Sequence, residues 1–430
     1  MKGKRRRRFL EGCKTLLIVL LSCSAVFLAS RTLLPQGGRT LLSRLSPSAT
    51  SSVGGLETVT RSAQTLQPAA FAVTWEEGRY AVLYHQEDQE GYTQISALLS
   101  EALNSAAAPT PITPRQWELA LSSPGVFCEY SGAIPLSALN FWLSDQDNPA
   151  LEGYSARRLC VTAKSLYFAT SGPSGQYYTA ALQEDLSASL DYLAQRFPAN
   201  GARFACEDGS YPLLRRDALV LSATPSVPCL HAETPCAVNE DGTPNEALNR
   251  ILQLLSFHPQ TNPLYAITGG YAITDGGETL RILDNTITYR RTDDSSLRFP
   301  AEYPLDTTRI LAEATVGAVA GDARLYLREV STLGNVTTVT YAYAYRGAAI
   351  EQATDGWCAK FTIEDNTVTA LELRPRRYTA PEGQNVTLLP QEQAAAIIDA
   401  RGLSLVILYE DPRGAQDQLV PFWATRTEGR

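Results

Sequence analysis

The chain has 430 residues, of which 44% are hydrophobic and 19% charged, with a formal net charge of −8. That composition suits two or three folded domains with proper cores and argues against a disordered chain. Residues 1–14 hold seven basic groups and one acid, while 30 basic groups face 44 acidic ones in the remainder, a formal −14 that repels phosphate backbones and excludes nucleic acid as a partner of the body.

The basic cluster of Lys2, Lys4, Arg5 to Arg8 and Lys14 stands before an uncharged run, Thr15 to Ser30, which Leu33 and Leu34 extend past Arg31. As a helix, Thr15 to Leu34 spans ~30 Å, the thickness of a bilayer's hydrocarbon core. Arg31 sits near its end, where the long stem can snorkel to the interface. The positive-inside rule keeps residues 1–14 in the cytoplasm and places everything after Leu34 outside the cell membrane. A cleaved signal peptide ending near Ala29-Ser30 and a lipoprotein modified at Cys23 are alternative readings of the same segment. The chain stays apolar for several residues beyond Cys23, so a retained single-pass anchor is the reading followed. Ser22, Ala25 and Ala29 recur at three- and four-residue spacing, which places them on one helix face as a candidate contact for another helix.

Residues 35–68, rich in Ser, Thr, Gly and Gln, read as a stalk. A first extracytoplasmic domain, 69–220, opens with a hairpin, Phe71 to Trp75 and Arg79 to Tyr84, about a Glu-Glu-Gly turn. Ile95, Leu98, Leu99 and Leu103 predict a helix, as does Pro114 followed by Trp117 and Leu119. Strand-like runs follow at Gly125 to Tyr130 and Arg158 to Thr162, and a long helix from Leu182 to Phe197 ends the domain. Residues 221–242 form a connector rich in Pro, Ser, Ala and Cys.

The stretch 243–303 starts with a helix capped by Thr243, with Glu246 in a capping box and Leu248, Ile251, Leu252 and Leu255 on its buried face. A meander then runs through Tyr271 to Thr274, Thr279 to Leu283 and Thr286 to Tyr289, turning at Asp275-Gly-Gly277 and Asp284-Asn285. The last domain, 304–430, has a helix around Ile310, Leu311 and Ala314, then strands Arg324 to Val330 and Val339 to Tyr345. In the latter every second residue is large, the period of a strand buried on one face. Ala359 to Ile363 and Val368 to Leu373 flank a Glu-Asp-Asn turn. A helix from Pro390 to Ala400 closes at Gly402, and two strands, Leu403 to Tyr409 and Gln418 to Thr425, finish the chain. Trp423 is expected to bury its indole against the 390–400 helix. Helices packed on one face of antiparallel sheets make an α+β fold.

Six of the eight cysteines lie outside the tail and span. Cys229 and Cys236, joined by a Pro-bounded loop, are the candidate disulfide, although six cysteines allow fifteen pairings. A metal site of Cys229, His231 and Cys236 lacks a fourth ligand and matches no standard zinc spacing. The remaining chemistry is sparse. The three histidines, His85, His231 and His258, stand in no H-E-x-x-H, and the sequence has no nucleophile elbow, Walker loop or dinucleotide fingerprint. Gly269-Gly270 and Gly276-Gly277 read as turn glycines and Asp293-Asp294 as a solvated turn. The Tyr341, Tyr343 and Tyr345 stripe fits a packed sheet face or, alternatively, a glycan or peptide platform. These residues predict no catalytic group, cofactor or bound metal.

Several stretches resemble the YycH family of accessory regulators. They are the basic start and single span; Trp117-Glu-Leu-Ala-Leu121 with Pro124-Gly-Val126, Tyr130 and Ile134-Pro-Leu136; and Leu254-Leu-Ser-Phe-His258 leading to Thr279-Leu-Arg-Ile282 and Thr288-Tyr289. The end, Leu388 to Ala394 through Leu405 to Tyr409 and Val420-Pro-Phe-Trp423, is similar to the terminal domain shared by YycH and its companion YycI. The resemblance implies a non-enzymatic, membrane-anchored protein of Gram-positive bacteria. Such a protein tunes a cell-wall two-component sensor histidine kinase beside a YycI-like companion, through contacts in the membrane and outside it. It carries over no functional residue. The alternative function is an extracytoplasmic binding module for a cell-wall fragment or peptide, and an envelope hydrolase would need a catalytic cluster that the sequence does not display.

Overall fold

A computed structural model describes residues 66–83, 89–170, 175–207, 209–221, 223–292, 303–352, 355–413 and 418–426. The tail, the span Thr15 to Leu34 with Ser22, Ala25 and Ala29, nearly all of the stalk, His85 and Asp293-Asp294 lie outside them. Among the described residues no helix is long and apolar enough to cross a membrane.

The N-terminal lobe is built on seven antiparallel strands: β1 (Ala70–Trp75), β2 (Gly78–Val82), β3 (Thr110–Ile112), β4 (Gly125–Pro135), β5 (Ser155–Thr162), β6 (Ser165–Thr170) and β7 (Tyr177–Ala181). They lie in the order β2-β1-β4-β5-β6-β7-β3. Side chains alternate across a strand, and in β4 both sets are apolar. Val126 and Cys128 join one buried cluster, and Phe127 joins another. Helices therefore cover both faces rather than the one expected. Ile95, Leu98, Leu99 and Leu103 of α1 (Gln89–Ser105) pack on the first face, while Trp117, Ala120 and Leu121 of α2 (Pro114–Ser122) pack on the second. Thr113 and Gln116 close a reciprocal capping box at the start of α2, and Pro114 occupies its first turn.

The first face also receives α3 (Leu136–Ser144), which the sequence reading passed over, and α4 (Ser187–Arg196). The helix expected from Leu182 is thus five residues shorter at its start. The Leu182 N–H instead donates to Lys164 O at 2.9 Å, and Asp185 accepts from the Ser187 N–H at 3.0 Å just before the first turn.

Four short strands occupy the connector and its approach: β8 (Arg203–Phe204), β9 (Leu219–Val220), β10 (Ser226–Pro228) and β11 (Leu230–Glu233). The helix α5 (Glu246–Leu254) buries Leu248, Ile251 and Leu252 as expected, but its cap is Asn245, which accepts from the Leu248 N–H at 3.0 Å. Thr243 instead donates its hydroxyl to Asp241, and no capping box forms with Glu246.

The second lobe comprises β12 (Tyr265–Ile267), β13 (Gly270–Asp275), β14 (Glu278–Leu283), β15 (Thr286–Arg290), α6 (Pro304–Ala314), β16 (Arg324–Leu333), β17 (Val336–Tyr345), β18 (Ala348–Gln352), β19 (Ala359–Glu364), β20 (Thr367–Leu373), β21 (Arg377–Thr379), β22 (Asn385–Thr387), α7 (Gln391–Ile398), β23 (Ser404–Asp411), β24 (Gln418–Leu419) and β25 (Phe422–Arg426). Eleven of these strands form one sheet, in which β15 pairs with β20. The boundary expected at 303/304 therefore falls inside a single sheet, because the meander has an open edge that β20 fills. The connector 221–242 is likewise woven into this lobe: β10 pairs with β22, and β11 with β21 and β24.

At β17 the sheet forks. Val336 to Tyr341 pair with β19, whereas Tyr343 to Tyr345 pair with β18 on the same edge. The next pairing, β18 with β23, is parallel. The strand is buried on both faces, not one: Tyr341, Tyr343 and Tyr345 enter the main core with Leu311 and Ala312 of α6, and Ala342 and Ala344 meet Tyr326 and Ala349 on the other side. Trp423 is buried, and its indole N–H donates to Leu389 O, directly before α7, at 2.9 Å. The left-handed residue that ends α7 is Asp399, with φ 55°, and Gly402 adopts φ 71° in the turn beyond it.

Candidate functional site

The feature that joins distant parts of the chain is the junction between the two lobes. Three contacts make it. First, β4 crosses β16 so closely that a Cβ on Gly132 would overlap the Leu327 carbonyl oxygen. Second, Phe141 of α3 stacks on Tyr303 at 5.1 Å between centroids, and the Arg309 guanidinium of α6 lies 5.7 Å from the Trp142 ring. Arg309 is fully buried and is held by Asp306 at 2.8 Å and Glu313 at 3.1 Å. Third, Leu214 bridges to Leu403, the Arg215 N–H donates to Leu403 O at 3.2 Å, and Gln391 Nε2 donates to Leu219 O at 3.0 Å.

A buried charge network lies behind the third contact. Asp217 is almost fully enclosed and takes ion pairs from Arg158 and Arg215 and a hydrogen bond from the Trp117 indole N–H at 2.9 Å. Burial alone would raise its carboxyl, but Arg215 and Arg158, with the hydrogen bonds from Arg215 and Trp117, outweigh that and hold it below the usual range. Arg215 also reaches Glu129 at 3.7 Å, and Arg157 stands 4.0 Å from the same oxygen.

A second enclosed network fastens the connector to the C-terminal sheet. Arg376 grips Asp411 through two hydrogen bonds, of 2.9 and 3.0 Å, and donates to Thr234 at 2.9 Å. The Tyr378 hydroxyl donates to Asp411 at 2.8 Å. Desolvation would raise Asp411, yet the bidentate Arg376 bond holds it low.

The residues singled out in the sequence do not converge on one place. Tyr341 and Tyr343 are wholly buried: the Tyr341 hydroxyl bonds Thr308 at 3.1 Å, and that of Tyr343 donates to Val316 O at 3.2 Å. The stripe is a packed face, with no platform for a ligand. His231 is exposed on β11, and His258 pairs with Asp275 at 3.1 Å. Gly276 and Gly277 adopt φ 58° and 84° in a turn, as their spacing suggested.

Cys229 and Cys236 are both buried free thiols, so the bridge expected between them is not formed. The intervening residues are not a loop but the extended β11, whose four residues alone span ~13 Å. A disulfide needs its Cα atoms within ~7 Å. Burial pushes the Cys236 thiol up to about 12. Among the described residues no three His, Cys, Asp or Glu side chains gather as a metal site. The junction network escaped the sequence reading because its members, from Trp117 to Arg215 and Asp217, lie up to 100 positions apart.

An antiparallel sheet and a larger, mostly antiparallel sheet that share one core and meet across a charged junction define a two-lobed α+β protein. That is the fold of YycH: the crystal structure of YycH from Bacillus subtilis matches with a TM-score of 0.54, covering 86% of this chain and 95% of that one at 11% identity. No family model matches the sequence, and no curated protein does.

Proposed function

We propose that this protein is a non-enzymatic, membrane-anchored regulator of a two-component sensor histidine kinase, working beside a YycI-like companion. The observation that carries the reading is the YycH fold, which covers 86% of the chain. The charge-biased apolar segment Thr15 to Leu34 supports it, since it supplies an anchor with an outward-facing body. Ser22, Ala25 and Ala29 form the proposed contact face for a kinase helix, where small side chains permit close approach.

The test is copurification of the full-length chain with the tagged kinase from solubilised membranes, with residues 15–34 intact or replaced by an unrelated span of equal length. The expected result is kinase recovery with the native span and loss with the replacement. Recovery of no kinase with the native chain overturns the regulatory reading. Equal recovery with both spans moves the contact to the ectodomain.

The binding-module reading draws on a different place from the one the tyrosine stripe suggested. Its support is the junction, where a crevice opens between the lobes.

A further inference from the structure

We infer that Arg328, at the fork of the large sheet, binds a singly charged oxyanion, a phosphodiester or a carboxylate, with Lys360 as a second contact. The pairing of β16 with β17 shifts register between Leu327 and Glu329, so Arg328 is the extra residue of a bulge. Bulges re-aim side chains. This one sends the guanidinium onto the segment Asp355-Gly356-Trp357, where it lies against Gly356. Gly356 has φ 71°, and a Cβ there would overlap the guanidinium.

The same segment gathers two more cations. Arg374 donates to Asp355 at 2.9 Å, and its guanidinium lies 3.5 Å from the Trp357 ring centroid. The Lys360 ammonium stands 5.9 Å from that ring and 4.0 Å from Glu372, its cross-strand partner. The three differ in what they leave open. Asp355 takes one Arg374 nitrogen and the other two are closed to solvent, so Arg374 adds only its field. Lys360 is 38% exposed, and 4.0 Å is too long for a hydrogen bond, so its three donors can turn to a ligand. Arg328 has no carboxylate or acceptor among the described residues, the adjacent Glu329 included, and its nitrogens are open to solvent.

A half-buried guanidinium calls for an anionic acceptor, and its planar fork fits two oxygens of a carboxylate or phosphate. Asp355 matches Arg374 and Glu372 matches Lys360, which leaves one charge uncompensated and sets the ligand's charge at one. Acidic groups elsewhere on the body are screened beyond ~8 Å at physiological salt. Gly132 of β4 meets the Arg328 backbone, so the site stands where the lobes cross. It stands whether or not a kinase is the partner.

The experiment titrates dimethyl phosphate and acetate, separately, into the full-length protein in an uncharged detergent at low salt, observed by phosphorus and carbon NMR line widths. At least one probe should bind saturably, and Arg328→Gln should weaken it at least about tenfold, the lower end for a hydrogen bond to a charged group. Lys360→Gln should weaken it by a smaller factor, and Glu372→Gln, which frees Lys360, should strengthen it. Arg281→Gln, at an exposed arginine of β14, is the control and should change nothing. Binding of the phosphodiester alone, of the carboxylate alone or of both, lost with Arg328→Gln, supports the inference and identifies the source. If Arg328→Gln fails to fold, opposite shifts with Lys360→Gln and Glu372→Gln decide. No saturable binding of either probe, binding unchanged by Arg328→Gln, or an equal loss with Arg281→Gln overturns the inference and leaves Arg328 as a packing residue.

Discussion

At the residue scale, Asp217 and Asp411 show how this chain uses buried charge. Each carboxylate is enclosed, is paired with arginine, and is held below its usual range although burial pushes the other way. A carboxyl lowered by folding contributes stability that is fully present above its unfolded value of ~3.9 and is lost as pH falls through the lower folded value. The folded body of the chain should therefore keep a constant melting temperature down to about pH 5 and lose stability steeply below about pH 4. Asp217→Asn takes the buried carboxylate from Arg158 and leaves Arg215 with Glu129 alone, and should cost about 3–5 kcal/mol at neutral pH, while flattening the acid limb. Denaturant titration at pH 7 and pH 4 checks both effects, and an unchanged midpoint at pH 7 would remove Asp217 from the support of the junction. Of these roles the sequence discloses little. Single charges mark a surface as readily as a buried pair, and only the fold brings Trp117 beside Asp217.

At the element scale, what was legible is what local chemistry decides. Asp284-Asn285 and Asp365-Asn366 all take positive φ, so these hairpin turns were marked by residues that tolerate it. The helix faces with Ile95, Leu98 and Leu103, or Leu248 and Ile251, were marked by their spacing. The short strands β3, β6 and β7 gave no comparable signal, and the helix α3 was hidden behind Ile134-Pro135, which reads as extended.

The contact of β4 with β16 depends on an element no sequence pattern announces, a glycine placed where two backbones meet. Gly132→Ala should force the strands apart and cost about 1–3 kcal/mol, the range for overpacking. Amide exchange should then accelerate in β16 and in the second half of β4 before it does elsewhere. Protection of β16 equal to that of the parent protein would show that the crossing does not hold the lobes together.

At the scale of the whole molecule, strand pairing crosses the boundary expected at 303/304 for a topological reason. The strands of 243–303 look complete as a meander, yet their outer edge is closed by β20, some 80 positions later. The parallel pairing of β18 with β23 is equally non-local. One buried cluster runs from Leu66 in the first lobe to Trp423 in the last strand, so the two lobes share a core. Under the proposed function, such a body presents surfaces to partners and passes their arrangement to the proposed anchor. The measurement that tests this most directly is the autophosphorylation rate of the partner sensor kinase in lipid bilayers, with and without the full-length protein at saturating amount. The account predicts a change of about fivefold or more, the lower end of ordinary coupling between sites, and a loss of that change when residues 15–34 are replaced. An unchanged rate with the native protein would contradict it.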